Sequence, residues 1–338
     1  KKRASLFSWE ISASMAWDEI SALADGVNTS IVTDITTRTT EGVMLSCPEA
    51  ERLNKKDTAR FIACRYFTQS ARRKGRKVFI DISEIIKHDA ATGVQRVTRH
   101  NILHIISSEA KALHPNHQFV FCYASTQRPG YYVAEVSLTK TDSLSYATTN
   151  SPISPKKGDT FFGLDLQHDV VISQQNYLDM IFSFGVSLIF LVHDLLPVTH
   201  PNFFHHNTEV LHRKWLGIIS RYDGAICVSE ATADKLRLHL SEESLTKQEF
   251  KIIVSPNGCD PKALSEGALS QRDQSVIAAL ANRKYCLMVG TVEPRKGIDE
   301  VLDGFERHYW KNNRNVPLVI VGKQGWLSGN TEKRMACL

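Results

Sequence analysis

From Lys77 onward the chain alternates short apolar runs with longer amphipathic stretches. Val78-Phe79-Ile80-Asp81-Ile82 is the first run. A loop over 83–92 and a helical stretch over 93–108 follow it. Further strands are predicted at 119–123, 159–164, 186–192, 224–228 and 251–254. The run 186–192 is almost wholly apolar, as expected of a strand buried on both faces of a parallel sheet. A helix is predicted over 208–221. Another is predicted over 230–240, capped by Ser229, with Glu230 in the first turn where the helix dipole favours an acid. Near Tyr285 a second unit opens with a strand at 285–290, a helix at 297–310 and a strand at 317–321. In that helix Leu302, Phe305 and Tyr309 share a side.

Strands alternating with helices predict an α/β fold built on parallel sheets flanked on both faces. The expected architecture is two Rossmann-like, doubly wound parallel sheets, the second incomplete. Residues 77–280 form the first domain and 281–338 begin the second. Residues 1–76 form an N-terminal region and basic linker, with helices predicted at 12–23 and 57–69 around a Thr- and Asp-rich stretch at 28–40. A sheet of two strands leaves its apolar faces open, so the chain is expected to be a fragment or to lack residues at its C-terminal end.

Lys and Arg number 41 against 36 Asp and Glu, a formal charge of +5. This suits a protein handling anionic nucleotides or lying against anionic lipid, and is also common in cytosolic enzymes. The dense basic run 71–77 has no interleaved aromatics, which favours a solvated linker over nucleic-acid binding. Seven cysteines, an odd number with no Cys-x-x-Cys pair, read as reduced thiols of a cytoplasmic protein. Cys122, Cys227 and Cys286 are expected in the core. The longest apolar run, 186–192, is far short of the roughly 20 residues that cross a bilayer.

Open parallel sheets bind ligands at the carboxyl ends of their strands, so the residues following each strand carry the candidate chemistry. Thr92-Gly93-Val94-Gln95-Arg96 opens a helix. Its free N–H groups can hold a phosphate or sugar hydroxyl, with Gly93 permitting close approach and Arg96 in the first turn. A glycine turn beside an exposed Arg is the competing reading. His193-Asp194 ends the most buried strand. There His193 can donate to a substrate hydroxyl and Asp194 can orient it, unless a backbone carbonyl satisfies the histidine. His200, His205, His206 and His212 match no zinc spacing and are read as solvated surface, so no metal is expected. Gly290-Thr291-Val292-Glu293-Pro294-Arg295-Lys296-Gly297 sets two cations between a strand and a helix. Fixed positive charge there stabilises a leaving diphosphate. No Gly-x-Gly-x-x-Gly and no Walker lysine occurs, so neither a dinucleotide site nor a P-loop is supported.

Together these motifs resemble the retaining GT-B glycosyltransferases of group 1, or family 4, in particular the bacterial O-antigen and capsule mannosyltransferases. The resemblance runs from Val78-Phe79-Ile80-Asp81-Ile82-Ser83 through Val192-His193-Asp194-Leu195-Leu196-Pro197, Val228-Ser229-Glu230-Ala231-Thr232 and Pro256-Asn257-Gly258-Cys259-Asp260 to Val321-Gly322-Lys323-Gln324-Gly325-Trp326. It implies a nucleotide-sugar donor, GDP-mannose foremost, with no other cofactor. The implied acceptor is a growing lipid-linked oligosaccharide at the cytoplasmic face of the inner membrane, with peripheral membrane contact. On the same ground His193 lies by the reaction centre with Lys296 and Arg295 on the diphosphate, and Gly93, Arg96, Asp194, Asn257, Gly290 and Thr291 contact substrate. The Arg usual after the first Gly is absent, since Thr291 stands there, and Arg295 is expected to replace it. The family's paired glutamates fall beyond Leu338. A non-catalytic binding module is the first alternative. An epimerase or dehydrogenase is the second, and would need a dinucleotide fingerprint after the first strand.

Overall fold

The computed structural model describes residues 75–89, 92–140, 143–245, 249–258, 270–309, 311, 316–326 and 329–337. The helices expected at 12–23 and 57–69, most of the basic run, and Cys47, Cys64 and Cys259 lie outside them. In chain order the first elements are β1 (Arg76–Asp81), α1 (Ser83–Lys87), α2 (Gly93–Ile106), α3 (Ser108–Leu113) and β2 (His117–Ser125). Next come β3 (Arg128–Leu138), β4 (Leu144–Pro152), β5 (Thr160–Gly163), α4 (His168–Ser173), α5 (Gln175–Ser183) and β6 (Ser187–Val192). Then follow α6 (Leu196–Thr199), α7 (Thr208–Ile219), β7 (Gly224–Cys227), α8 (Glu230–Glu242) and β8 (Lys251–Val254). The last are α9 (Gln271–Leu280), β9 (Cys286–Val289), α10 (Ile298–Gly304), β10 (Leu318–Val321) and α11 (Gly329–Cys337).

The described residues divide into two compact units, 75–195 with 211–258, and 196–210 with 270–337. The first holds an eight-stranded sheet in the order β4-β3-β2-β1-β5-β6-β7-β8. From β2 to β8 the strands are parallel. The chain steps from β1 to β2 on one side and returns to β5 on the other. The order therefore reverses between β1 and β5, the switch point at which such sheets bind ligands. All six residues of β6 are buried, Ser187 included, as expected of an almost wholly apolar strand. Ile80, Ile82, Phe162, Ile189 and Ile226 meet Ile102 and Ile105 of α2 in one apolar cluster. Each such side chain contributes roughly 1.5–3 kcal/mol by leaving water, so Ile189→Ala alone costs about 2–5 kcal/mol.

Two strands went unread in the sequence. β3 and β4 pair antiparallel with β2 and each other and extend the sheet at one edge. A short helix, α1, stands where a loop is expected, and α3, α4, α5, α6, α9 and α11 have no counterpart among the expected helices. In the second unit, β9 and β10 pair in parallel from Leu318↔Cys286 to Val321↔Val289. Val292, Ile298 and Leu302 form a small core there with Met288, Leu318, Ile320 and Met335. The helix expected over 297–310 is shorter, since α10 ends at Gly304 and a π-turn takes over at Phe305–Tyr309. Leu287, Val289 and Val321 stand exposed, the open face expected of a two-stranded sheet. Cys122 and Cys227 are buried, but Cys286 is exposed, contrary to the core position expected for it. The apolar run around Cys286 signalled a strand correctly, yet no layer among the described residues covers that side of it.

Candidate functional site

In the first unit the polar residues gather after the carboxyl ends of β1, β5 and β6. Helix α2 begins as the sequence predicted. The Thr92 hydroxyl accepts from the Gln95 N–H at 3.4 Å, and the Gln95 carboxamide oxygen accepts from the Thr92 N–H at 3.1 Å, a reciprocal capping box. The buried Gln95 side chain also donates to the His88 carbonyl, tying the helix to the end of α1. A Cβ added at Gly93 would meet nothing within 4 Å. Packing within the unit therefore does not demand a glycine there. Arg96 is exposed one turn into the helix.

The entry to this loop is fixed by two carboxyl groups that sequence reasoning did not select. Asp81, fully buried at the end of β1, accepts from the Ser83 N–H at 3.0 Å and from the Ser83 hydroxyl. The Ser83 hydroxyl in turn accepts from the Ala124 N–H at 2.9 Å. Asp165, just past β5, accepts from the Ile85 N–H at 2.7 Å, the Leu166 N–H at 3.1 Å and the Thr98 hydroxyl at 3.4 Å. It thereby joins β5, α1 and α2 at the switch point. Burial pushes the Asp81 carboxyl up to about 7, against the opposing pull of the Ser83 hydrogen bond, and the Asp165 charge adds to the rise. Burial likewise raises Asp165 to about 6. Asp81 Oδ2 has no hydrogen-bond partner among the described residues, and the Tyr131 hydroxyl lies against it without completing a well-formed bond. The signal for Asp165 was present in Phe162-Gly163-Leu164-Asp165, an acid placed directly after a strand that was read correctly.

His193 follows β6. Its carbonyl accepts from the Thr232 hydroxyl at 3.2 Å, while its Nε2 is inaccessible to water and has no partner among the described residues. The competing reading, a histidine satisfied by a backbone carbonyl, is therefore not supported for that nitrogen. Burial lowers its pKa to about 4, so the ring is neutral at pH 7. Asp194 is half-buried beside it. Asn257, past β8, is exposed.

His212 corrects the sequence reading. Surface exposure is expected of it together with His200, His205 and His206, which are exposed, but His212 is only 1% exposed. It lies with Trp215, Leu216 and Ile219 on the inward face of α7, at a helical spacing that the sequence displays. His168 Nε2 and His212 Nδ1 are 2.8 Å apart, and the backbone of Asp194 interacts with the His212 ring. Burial holds His212 at about 3 and His168 at about 4, so the pair is neutral and shares one proton between its facing nitrogens. Among the described residues no group of three or more His, Cys, Asp or Glu is placed to hold a metal.

The second unit carries the cation motif. Residues 290–293 run beside 322–325, with the Val292 N–H donating to the Lys323 carbonyl at 2.8 Å and the Gly325 N–H to the Val292 carbonyl at 3.0 Å. A Cβ on Gly322 would stand 1.7 Å from the Gly290 carbonyl oxygen, so this close approach requires glycine. Thr291 is half-buried in that pair. A single 3-10 turn, Pro294–Lys296, leads to Gly297, whose φ of 68° is left-handed and suits glycine at the start of α10. Lys296 is exposed, its stem lying over Gly290. Arg295 Nε lies 2.7 Å from Glu293 Oε1, and that carboxylate has no exposed surface. The local positive charge is thus smaller than two adjacent cations suggest, because Glu293 offsets Arg295 and α10 begins with Asp299 and Glu300.

The described residues include no helix long and apolar enough to cross a membrane. No family model matches the chain. An alpha,alpha-trehalose-phosphate synthase (UDP-forming) from Burkholderia vietnamiensis matches with a TM-score of 0.37 and 15% identity, covering 53% of this chain and 40% of that one. A serotype-specific mannosyltransferase WbdA from Escherichia coli is 28% identical over 274 residues, 76% of this chain and 30% of its own. The chain spans about two fifths of another such relative: over 339 residues, 95% of its own length, it is 27% identical to a serotype-specific mannosyltransferase WbdA of Escherichia coli, covering 39% of that protein.

Proposed function

We propose that this chain belongs to a glycosyltransferase that moves a hexose, mannose foremost, from a nucleotide-sugar donor to a growing lipid-linked O-antigen or capsular polysaccharide. The similarity to mannosyltransferases along nearly its whole length is the observation that carries the reading. The donor is GDP-mannose. The acceptor sits on a lipid carrier, which puts the protein in peripheral contact with the cytoplasmic face of the inner membrane.

Each group has a part in the reaction. As the bond between the anomeric carbon and the diphosphate breaks, positive charge grows on the sugar and negative charge on the leaving oxygen. Lys296 and Arg295 stabilise that oxygen, and such fixed donors act more strongly in the transition state than before it. The neutral His193 ring offers Nε2 to a sugar hydroxyl, which would end the isolation of that nitrogen. Gly93, with open space where a side chain would stand, lets the first N–H groups of α2 approach substrate oxygens, and Arg96 lies beside them. Asp194, Asn257, Gly290 and Thr291 line the substrates.

The test is transfer of labelled mannose from GDP-mannose to a lipid-linked oligosaccharide by the purified protein, with UDP-glucose and UDP-galactose run in parallel. Transfer from GDP-mannose alone supports the donor assignment. Nucleotide binding without transfer by the full-length protein would place it among binding modules instead, and hydride transfer to a nicotinamide would move it to another class.

A further inference from the structure

Arg295 is held on two sides. Its Nε faces Glu293 Oε1 at 2.7 Å. Glu293 is enclosed, and neither of its carboxylate oxygens, nor Arg295 Nε, has a hydrogen-bond partner among the described residues; the 2.7 Å contact is an ion pair by distance, and Arg295 is the charge that compensates Glu293. The guanidinium carbon lies 5.7 Å from the centre of the Trp326 ring, within range of a cation–π contact. Trp326 is itself seated. Its indole N–H donates to the Phe203 carbonyl at 2.8 Å, and the rings of Phe204 and His205 lie 5.9 and 6.3 Å from it. With the Nε edge and one face occupied, the paired Nη groups remain as a fork matched to two phosphate oxygens.

We infer that Glu293 and Trp326 are positioning residues, which fix the Arg295 guanidinium so that its Nη edge meets the donor diphosphate. The inference rests on the diphosphate role proposed above for Arg295 and Lys296. It gives Trp326 a function that its place in Gly325-Trp326 did not reveal. It also gives the segment Phe203-Phe204-His205 one, as the seat of that tryptophan.

The experiment is a double-mutant cycle on the full chain, with GDP as the probe and binding measured by calorimetry. Trp326→Leu weakens GDP roughly tenfold, the scale of a lost cation–π contact. It weakens GDP no further once Arg295→Ala is present, and Trp326→Phe, which keeps an aromatic face, stays within about twofold of wild type. A second readout needs no ligand: Arg295→Ala strands the Glu293 charge and lowers the unfolding midpoint, and adding Glu293→Gln restores it. Additive losses of GDP affinity in the cycle, or no recovery of the midpoint, overturn the positioning and leave the diphosphate reading standing. Unchanged GDP affinity in both Arg295→Ala and Lys296→Ala overturns the diphosphate reading, and this inference with it.

Discussion

Replacing Asp81 with Asn tests how the switch point is held. In the native unit Asp81 Oδ1 accepts two bonds from Ser83, and the Tyr131 hydroxyl interacts with the same carboxyl. Asn keeps the accepting oxygen and presents an amide where the protonated acid presents a hydroxyl, so it mimics the neutral carboxyl without its charge. The folded pKa is raised from 3.8 to about 7 by burial. A raised folded value means that the fold prefers the protonated acid. The associated stability is complete below about pH 4 and is lost as the pH rises through about 7. A shift of that size corresponds to roughly 4 kcal/mol as an upper value. In a unit of this size it equals about 10 °C in unfolding temperature. The histidines oppose this trend, because His168, His193 and His212 are held below their usual value. Their contribution is present above about pH 6.5 and fades as the pH falls toward 4. Comparing Asp81→Asn with wild type at each pH cancels the histidines. The expected result of thermal unfolding at pH 4.5, 6 and 8 is a difference near zero at the lowest pH that grows in the variant's favour toward pH 8. A pH-independent difference, or a variant that loses ground as the pH rises, would refute the argument.

Three further outcomes follow from the same geometry. On the role proposed for it, Lys296→Ala removes one fixed donor from a leaving diphosphate and lowers sugar transfer on the order of a hundredfold, while unfolding moves by less than about 0.5 kcal/mol, since the residue is exposed; Thr291→Ala is mild by comparison. His193→Ala abolishes most turnover with a stability change under about 1 kcal/mol in urea, since the packing it loses is offset by removing a buried nitrogen without a partner. Asp165→Ala leaves the Ile85 N–H and the Thr98 hydroxyl without their acceptor and costs roughly 2–4 kcal/mol of stability by calorimetry, with Thr98→Val partly masking the loss.

What the sequence displayed was the part of the fold written in apolar runs. β6 could be read because Leu188–Val192 is an apolar run of strand length, and all six positions of Ser187–Val192 are buried. Ser229 could be read because a hydroxyl before an amphipathic run caps a helix, and its Oγ does accept from the Thr232 N–H at 3.1 Å. β4 could not, since Leu144–Pro152 is rich in Ser, Thr and Asn and is a strand only by pairing with β3 at the sheet edge. The strand-end rule found His193 and Gly93 but passed over Asp165, because Gly163-Leu164-Asp165 fits no motif, and its role is visible only when Ile85 and Thr98 arrive from elsewhere in the chain. His212 was missed for the opposite reason. Its residue type suggested the surface, while its spacing with Trp215, Leu216 and Ile219 placed it inside.

Acids at both ends of the first sheet take up backbone N–H groups, Asp81 and Asp165 at the carboxyl ends as well as Asp159 and Asp223 at the amino ends. At the amino ends, Asp159 accepts from the Lys77 N–H and the Lys156 N–H, both at 2.8 Å, and Asp223 accepts from the Leu188 N–H at 2.7 Å. These acids take up backbone N–H groups of neighbouring strands and turns, which is structural work. At the carboxyl ends, Asp81 keeps an oxygen and His193 a ring nitrogen without a partner. An unmet buried polar atom costs about 1–3 kcal/mol, and a sheet optimised for stability alone would fill or delete it. These two atoms lie at the edge where doubly wound sheets receive ligands, while Arg128, Tyr146 and His212 carry further unmet buried atoms elsewhere in the unit. His193 Nε2 can be relieved by a bound hydroxyl. Asp81 instead holds Ser83 at the head of the loop to Gly93, and its enclosure makes it a support for the site. On the role proposed for His193, binding recovers the cost at that nitrogen, whereas the enclosed Asp81 sets the loop beside it.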